Sequence, residues 1–297
     1  MKQEFIYITI LLSLALASCN SKPSSSKEVL SVTIEPQRFF LETLVGDKFD
    51  VNCVTPNGAN PESFDPTPSQ LLEVSKSKMY FTVGSLGVEH LLVEKLRSNS
   101  PDIKYIDCST GIDLIEGHDH ANCGHDDHHH DHGHAHSGTD PHIWSSPASA
   151  KVMIQNMYNA LVEFDKDNKE YYETNYNKLI ATVDSTDQVI KSYIDKAANK
   201  SFIIYHPALS YFANEYGLTQ HSIEKDGKSP TPTQLAEMID NSKKEGVKTV
   251  FIQKEFDVKN AETIAKSINA RTFTINLLNY NWAEELINIA KTFSDEQ

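Results

Sequence analysis

The chain has 297 residues, 39% of them hydrophobic, and its 27 Lys and Arg against 41 Asp and Glu give a formal net charge of -14 at pH 7. This length fits one large domain or two ordinary ones, and the hydrophobic fraction is sufficient for buried cores. The negative charge argues against binding to nucleic acid, whose phosphates are neutralised by clustered Lys and Arg, and makes cations the natural partners.

The first predicted element is an export signal. Residues 5–17 form an apolar run behind Lys2 that is too short to span a bilayer and is typical of a signal-peptide core. The run ends in Leu-Ala-Ser-Cys at 16–19, which resembles a bacterial lipobox, and a flexible polar tether follows at 20–26. We expect a lipid on Cys19 and an extracytoplasmic protein anchored to a bacterial membrane. The alternative is an ordinary signal peptide followed by an incidental cysteine.

The chain then alternates short β-branched runs with helical stretches. Strands separated by helices predict a parallel sheet with crossover connections. The predicted strands here are VLSVTI, FDVNCV, MYFTV and IKYIDC, with helices near 39–45, 69–76 and 89–96.

A histidine-rich stretch follows the fourth predicted strand. Nine of the 13 histidines fall between residues 118 and 136, among carboxylates and Cys123. With almost no apolar residues this stretch cannot build a core, so we expect a mobile loop over 117–137. Imidazole suits Zn, Cu, Ni and Co, and the loop should bind several such ions weakly, unless it is merely a solvated polar loop. The nine are His118, His120, His125, His128, His129, His130, His132, His134 and His136.

Two helices with no strand between them are predicted next. Ser146 and Pro147 form a good N-cap and first-turn pair, and apolar residues keep helical spacing over 148–165 and 168–198. At 1.5 Å per residue the second helix could exceed about 45 Å. We expect it to join two lobes and to resist wide hinge bending.

The alternation of strands and helices then resumes. The strands are SFIIY, LTQHSI, TVFIQ and RTFTI, with helices near 208–216, 233–245, 260–269 and 282–293. We therefore predict an α/β fold of two lobes, each a small parallel sheet flanked by helices, joined by a long rigid helix. The predicted plan is a signal peptide over 1–18, a lipid-anchored tether over 19–28, an N-terminal lobe over 29–146, a helical connector over 147–199 and a C-terminal lobe over 200–297.

Two cysteines of the first lobe could pair. Cys53 and Cys108 both lie near predicted strand ends, and disulfides form outside the cytoplasm. The alternative, two buried small hydrophobic residues, is equally consistent with the sequence.

Four histidines lie outside the loop. His90 on a predicted helix and His221 in a predicted strand are expected to be packing or surface residues. His206 ends the apolar strand SFIIY, at the carboxyl end where α/β folds concentrate ligand sites. His142 lies between Pro141 and the start of a helix, which would stiffen its backbone, although a single histidine in either place is more often structural.

Three segments occur in order along the chain: GANPESFDPTPS at 58–69, DPHIW at 140–144 and YHPALSYF at 205–212, the last followed by EYGL at 215–218. Together they resemble the signature stretches of the zinc and manganese solute-binding proteins of ABC importers, the cluster A-I family, which are often lipoproteins. The resemblance runs from about Val29 to Asn281. It implies two α/β lobes joined by a rigid helix, with the metal ion at their interface.

The resemblance also implies a set of metal ligands. By position, Glu62 and His142 would come from the first lobe and His206 from the second. Two His and one Glu form a recognised zinc set that leaves a fourth position open. Histidine at position 206 resembles the zinc members, whereas manganese members commonly have a carboxylate there.

Three positions depart from the family pattern. Glu62 stands where the family usually has a histidine, and a hard oxygen donor also suits Mn2+. Asn276 stands where the family has an aspartate as its fourth candidate ligand, so water would complete the shell. The family's Glu-Pro-Gln reads Gln253-Lys254-Glu255 here, in a stretch without a metal ligand, and Glu255 is a candidate to approach the site without binding the ion.

These observations predict a receptor that captures Zn2+ and delivers it to an ABC permease driven by a cytoplasmic ATPase. The chain has no GxxxxGK[ST] loop for ATP, and we expect a monomer that is not an enzyme. Both ligand histidines must be neutral, so affinity should fall as the pH drops toward about 6. Alternatives are a manganese receptor, a histidine-rich metal buffer or adhesin, and, less favoured because HExxH is absent, a zinc hydrolase.

Overall fold

The structure is a computed structural model that describes residues 27–117, 138–224, 228–254, 256 and 259–294. Four predictions therefore lie outside the described residues: the signal peptide over 1–18, lipidation of Cys19, metal binding by the nine loop histidines at 118–136, and the approach of Glu255 to the site.

The first lobe contains a parallel sheet with the strand order β2-β1-β3-β4. Its central strands β1 and β3 are buried on both faces, as a sheet covered by helices requires: Leu30, Val32, Met79 and Phe81 lie on one face, and Ser31 and Tyr80 lie on the other. The carboxyl ends of all four strands lie at one edge, where the connecting loops meet. The elements are β1 Val29–Val32, α1 Glu35–Val45, β2 Asp50–Cys53, α2 Pro68–Ser75, β3 Ser77–Thr82, α3 Gly87–Asn99 and β4 Lys104–Asp107.

The connector consists of the predicted pair of helices. A 3-10 turn at Ile143–Ser145 leads into α4 at Pro147–Phe164, and a second 3-10 turn at Lys166–Asn168 leads into α5 at Lys169–Ile194. Helix α5 packs against α4 and also against α1 of the first lobe. Helix α5 therefore packs directly on the first lobe as well as on the other connector helix.

The long helix is shorter than predicted. It has 26 residues, or about 39 Å at 1.5 Å per residue, and the expected continuation to residue 198 was wrong. The chain turns after Ile194, where the amide of Ala197 donates to the Ile194 carbonyl. The side chain of Asn199 then holds the chain against the carbonyls of Glu245 and Gly246, at 3.0 and 2.7 Å. These contacts direct the chain into the second sheet.

The second lobe repeats the topology of the first. Its parallel sheet has the order β6-β5-β7-β8, the same arrangement with each strand number raised by four. Its last helix, α9, packs against α5, so the long helix contacts both lobes. The elements are β5 Ser201–Ile204, α6 Ser210–Tyr216, β6 Thr219–Ser222, α7 Pro232–Glu245, β7 Thr249–Gln253, α8 Lys259–Ile268, β8 Arg271–Ile275 and α9 Trp282–Ser294. The predicted two-lobed α/β fold with a long joining helix is confirmed.

Cys53 and Cys108 are both free thiols. Cys53 ends β2 and Cys108 follows β4, so β1 and β3 lie between them. Three strand spacings amount to about 14 Å, well beyond the Cα separation that a disulfide allows. The two thiols therefore stay unpaired with each other, with Cys108 buried and Cys53 half-buried.

Candidate metal centre

Glu62 lies on the loop between β2 and α2, at the carboxyl edge of the first sheet. Its backbone amide donates to the side-chain oxygen of Asn60 at 2.9 Å, which forms a tight turn. The backbone carbonyl oxygen of Glu62 lies 3.3 Å from the position that a Cβ atom would take at Gly87. The loop therefore packs against the start of α3. The Glu62 side chain is 30% exposed and points away from the core.

His142 is fixed from two sides. The carboxylate of Asp140 accepts hydrogen bonds from the His142 backbone amide at 2.9 Å and contacts its ring Nδ1 at 2.8 Å. The hydroxyl of Ser145 donates to the His142 carbonyl at 2.8 Å. The ring is buried, and Nε2 is the ring nitrogen that does not face Asp140.

His206 directly follows Tyr205 at the carboxyl end of β5, as the sequence predicted. The side chain of Gln253 accepts from the His206 amide at 3.2 Å and donates to its carbonyl at 2.5 Å. The ring stacks on Phe256, with 4.9 Å between centroids and 13° between planes. Nδ1 faces the carboxylate of Glu224 at 3.3 Å, so Nε2 is again the nitrogen left for another partner.

The three predicted ligands come together between the lobes. Oε1 of Glu62 lies 3.3 Å from Nε2 of His142 and 3.3 Å from Nε2 of His206, and the three ligand atoms all lie within 4.8 Å of one another. Donors held about 2.05 Å from a tetrahedral zinc ion are about 3.3 Å apart. The two distances from Glu62 and the donor chemistry of the set therefore fit a zinc centre.

A small cavity of about 30 Å³ adjoins these atoms. It holds one water-sized sphere and little more, so a bare ion with a water or one further donor would fill it. Its lining contains Asn60, Pro61, His142, Trp144, His206, Ala208, Gln253, Phe256, Leu277 and Leu278.

The electrostatics of the site favour a cation. Burial raises the pKa of Glu62, but the hydrogen bond from His206 and the nearby imidazoles outweigh it and leave the pKa below its usual value. Burial likewise raises the pKa of Asp140, and the contacts with His142 outweigh it and lower the pKa overall. Burial lowers the pKa of His206, yet its bonds to Glu224 and Glu62 raise it to about 9. At neutral pH the ionised carboxylate of Glu62 therefore faces a protonated His206 at 3.3 Å, and the ionised Asp140 lies behind His142.

Asn276 lies at the end of β8, and its polar groups serve the local turn. Its side-chain oxygen accepts from the amide of Leu278 at 3.2 Å, and its own amide donates to Glu285 at 2.7 Å. Its two successors, Leu277 and Leu278, line the cavity. A role for Asn276 as a fourth ligand stays a prediction.

The other two histidines outside the loop have no part in the centre. His90 is exposed on α3, and His221 on β6 pairs with Glu245 at 2.7 Å. Both positions agree with the surface or packing role expected from the sequence.

Three residues near the ligands had no role in the sequence-based prediction: Asp140, Glu224 and Gln253. The role of Asp140 could have been predicted from the sequence, because an aspartate side chain can accept a hydrogen bond from the backbone amide two residues later, here that of His142. Glu224 follows β6 and Gln253 ends β7, and these two strands lie on either side of β5. Their nearness to His206 depends on the strand order, which the alternation of strands and helices does not give.

Direct hydrogen bonds join the lobes beside the centre. The indole of Trp144 donates to the carbonyl of Leu277 at 2.9 Å, and the indole of Trp282 donates to the carbonyl of Trp144 at 2.7 Å. The Tyr211 hydroxyl donates to the carbonyl of Asp140 at 2.9 Å and accepts from the amide of Ile115 at 3.1 Å. The segment that carries His142 is therefore held by both lobes.

Comparison with known protein families gives one match over most of the chain. The family model described as ZnuA, the periplasmic component A of zinc-uptake complexes, matches residues 30–292. This span includes the three candidate ligands and both sheets.

Individual relatives agree with the family match. The high-affinity zinc uptake system protein ZnuA of Bacillus subtilis is 32% identical over 249 residues, which cover 83% of this chain and 77% of that protein. The zinc-binding lipoprotein AdcA of Streptococcus pneumoniae is 26% identical over 94% of this chain, but this chain matches only 56% of AdcA. A crystal structure of ZnuA superimposes with a TM-score of 0.80 at 29% identity, covering 91% of this chain and 98% of that one.

Proposed function

Because the chain belongs to the family of periplasmic A components of zinc-uptake complexes, we propose that it captures Zn2+ outside the cytoplasm and delivers it to an ABC importer. The ion would bind between the lobes through Glu62, His142 and His206. Zinc is the preferred cargo because the relatives from Bacillus subtilis and Streptococcus pneumoniae are both named for zinc.

The observation that carries the proposal is the convergence of one carboxylate oxygen and two imidazole nitrogens within 4.8 Å. Both imidazoles offer Nε2 toward the same point, with the buried Trp144 ring beside His142 and the half-buried Phe256 ring stacked on His206. Because the first lobe contributes two donors and the second contributes one, a bound ion links the lobes. Binding should therefore stabilise the folded protein in proportion to its affinity.

The partner in this proposal is an ABC permease with its cytoplasmic ATPase, as befits a family of uptake components. We propose that the receptor acts as a monomer and is held at the membrane by a lipid on Cys19. Among the described residues, none of the helices has the length and apolar character to cross a bilayer.

Manganese is the second candidate cargo, and the observation in its favour is Glu62. A carboxylate at this position gives the centre a hard oxygen donor, which Mn2+ accepts more readily than a third imidazole. Two neutral nitrogens in a small cavity favour zinc instead, because Mn2+ prefers more oxygen ligands. Metal buffering by the loop at 117–137 would be a third outcome, with binding that does not need the three ligands.

A competition titration of Zn2+ against Mn2+ tests the proposal on the soluble form that begins at Asn20. The parent should show one tight site that prefers zinc, and this site should disappear in the His142→Ala, His206→Ala double variant. A His90→Ala, His221→Ala double variant is the matched control and should keep it. Preference for Mn2+, or tight binding that survives loss of His142 and His206, would contradict the zinc receptor.

A further inference from the structure

Each candidate histidine has a carboxylate behind it. His142 Nδ1 lies 2.8 Å from Asp140 Oδ1, and His206 Nδ1 lies 3.3 Å from Glu224 Oε2. In both cases the carboxylate belongs to the same lobe as the histidine, and Nε2 faces Glu62 across the site. The same arrangement thus occurs twice, on two independent loops.

The backbones of both carboxylates are themselves fixed. The Asp140 amide donates to the Ile115 carbonyl at 2.9 Å, and its carbonyl accepts from Tyr211 at 2.9 Å. The Glu224 amide donates at 2.9 Å to the carbonyl of Tyr205, the residue before His206. Their side chains are only 7% and 11% exposed, so water competes little for the carboxylates.

The carboxylate behind each imidazole decides which ring nitrogen carries the proton. A neutral ring carries one proton, on either nitrogen, and only the other nitrogen has a lone pair for a metal ion. A carboxylate acceptor at Nδ1 keeps the proton there, orients the ring and makes Nε2 the better donor.

Building on the proposed function, we propose that Asp140 and Glu224 are positioning residues that hold His142 and His206 in the Nδ1–H form and direct both Nε2 lone pairs at the zinc ion. Neither carboxylate binds the ion. Each contributes to affinity through its histidine, and together they fix the angle between the two nitrogen donors.

The test compares zinc affinity in Asp140→Asn and Glu224→Gln with the parent, by competition with a chromophoric chelator. Each variant keeps the size of the side chain and removes its charge, and each should bind zinc about 10-fold to 100-fold more weakly. Glu245→Gln is the matched control, because it removes a carboxylate from His221, 2.7 Å away and outside the centre. The control should stay within about threefold of the parent.

A spectroscopic measurement on the zinc-bound parent tests the inference without any variant. Long-range 1H–15N spectra of the imidazole rings should show His142 and His206 with the proton on Nδ1 and the metal on Nε2. Zinc on Nδ1 of either ring would overturn the inference even if a variant failed to fold.

The two proposals fail in different ways. If the parent binds zinc tightly and both variants bind equally well, Asp140 and Glu224 have no positioning role and the receptor function stands. If the parent has no tight zinc site, the proposed function is wrong, and the positioning role of Asp140 and Glu224 is wrong as well.

Discussion

Glu62 and His206 come from different lobes, yet Oε1 of Glu62 lies 3.3 Å from Nε2 of His206. The contact is the one that a zinc ion would replace, because both atoms would become ligands. In the metal-free protein a proton on His206 therefore occupies the place of the ion and already attracts the lobes to each other.

This competition predicts that zinc binding releases a proton. The pKa of His206 is raised to about 9, so the ring is charged at pH 7 and must lose its proton to bind. We expect release of about one proton at pH 7 to 8 from this ring, and an affinity that keeps rising until about pH 9. The loss of affinity on acidification thus begins well above the pH of about 6 expected from an ordinary histidine. Calorimetry in buffers of different ionisation enthalpy measures the release, and affinity independent of pH between 7 and 9 would contradict it.

The same histidine should make the metal-free protein less stable at high pH. A folded-state pKa of about 9 against 6.5 in the unfolded chain adds stability that is fully present below pH 6.5 and is lost as the pH rises through about 9. The loss is at most about 3–4 kcal/mol. Urea unfolding at pH 6 and pH 9.5, with zinc chelated, measures it for the parent. The His206→Ala variant should lose most of this pH dependence of the free energy of unfolding. If the variant keeps the same pH dependence as the parent, another titrating group is responsible.

Substitutions at Glu62 should separate affinity from selectivity. Glu62→Gln removes the charge and should weaken zinc binding by about tenfold or more, since a neutral amide is a poor zinc ligand. Glu62→His should keep tight zinc binding but lower the relative affinity for Mn2+, because a third imidazole replaces the only carboxylate of the set. Competition titrations measure both, with the exposed Glu73→Gln as control. A Glu62→Gln variant with parental zinc affinity would exclude Glu62 as a ligand.

Removal of the histidine-rich loop should leave the tight site intact. Glu116 and Thr139 pair as an isolated antiparallel bridge, and the Asp140 amide donates to Ile115 at 2.9 Å beside them. Deletion of 118–137 joins Gly117 to Gly138, and Gly-Gly suits a two-residue hairpin turn. Zinc titration should show one tight site without the weaker ones, whereas loss of tight binding would make the loop part of the primary site.

Tyr211 should contribute to the stability of the lobe junction. Tyr211→Phe removes the hydroxyl that donates to Asp140 and accepts from Ile115, leaving a backbone amide and a carbonyl without this partner. We expect the free energy of unfolding to fall by about 1–3 kcal/mol. The control is Tyr171→Phe, which removes an exposed hydroxyl whose contact with Asp47 is 3.5 Å long. Equal effects of the two changes would contradict a special role for Tyr211.

Much of the fold could be predicted because its signals are local. Pro68 after Thr67 and Pro147 after Ser146 mark helix starts, and the apolar runs at TVFIQ and RTFTI give β7 and β8 with the same bounds as in the structure. The candidate ligands Glu62, His142 and His206 could be named because the short motifs that contain them resemble those of a known family. These features need only neighbouring residues in the sequence.

The rest depends on distant parts of the chain. The separation of Cys53 from Cys108 and the contact of Glu224 with His206 both follow from strand order. The early end of α5 depends on Asn199, which binds carbonyls of Glu245 and Gly246 more than 40 residues away. The raised pKa of His206 requires a carboxylate from each lobe. Periodicity within a short stretch carries no information about such contacts.

The paired indoles at the lobe junction also give the protein an internal optical reporter. The chain contains two tryptophans, and both take part in the junction, since the Trp282 indole donates to the Trp144 carbonyl. The Trp144 ring lies 5.1 Å from the ring of His142, centroid to centroid. Tryptophan emission of the unlabelled protein therefore originates entirely at the lobe junction, where a change in the charge of the candidate metal centre or in the packing of the lobes alters its intensity and wavelength.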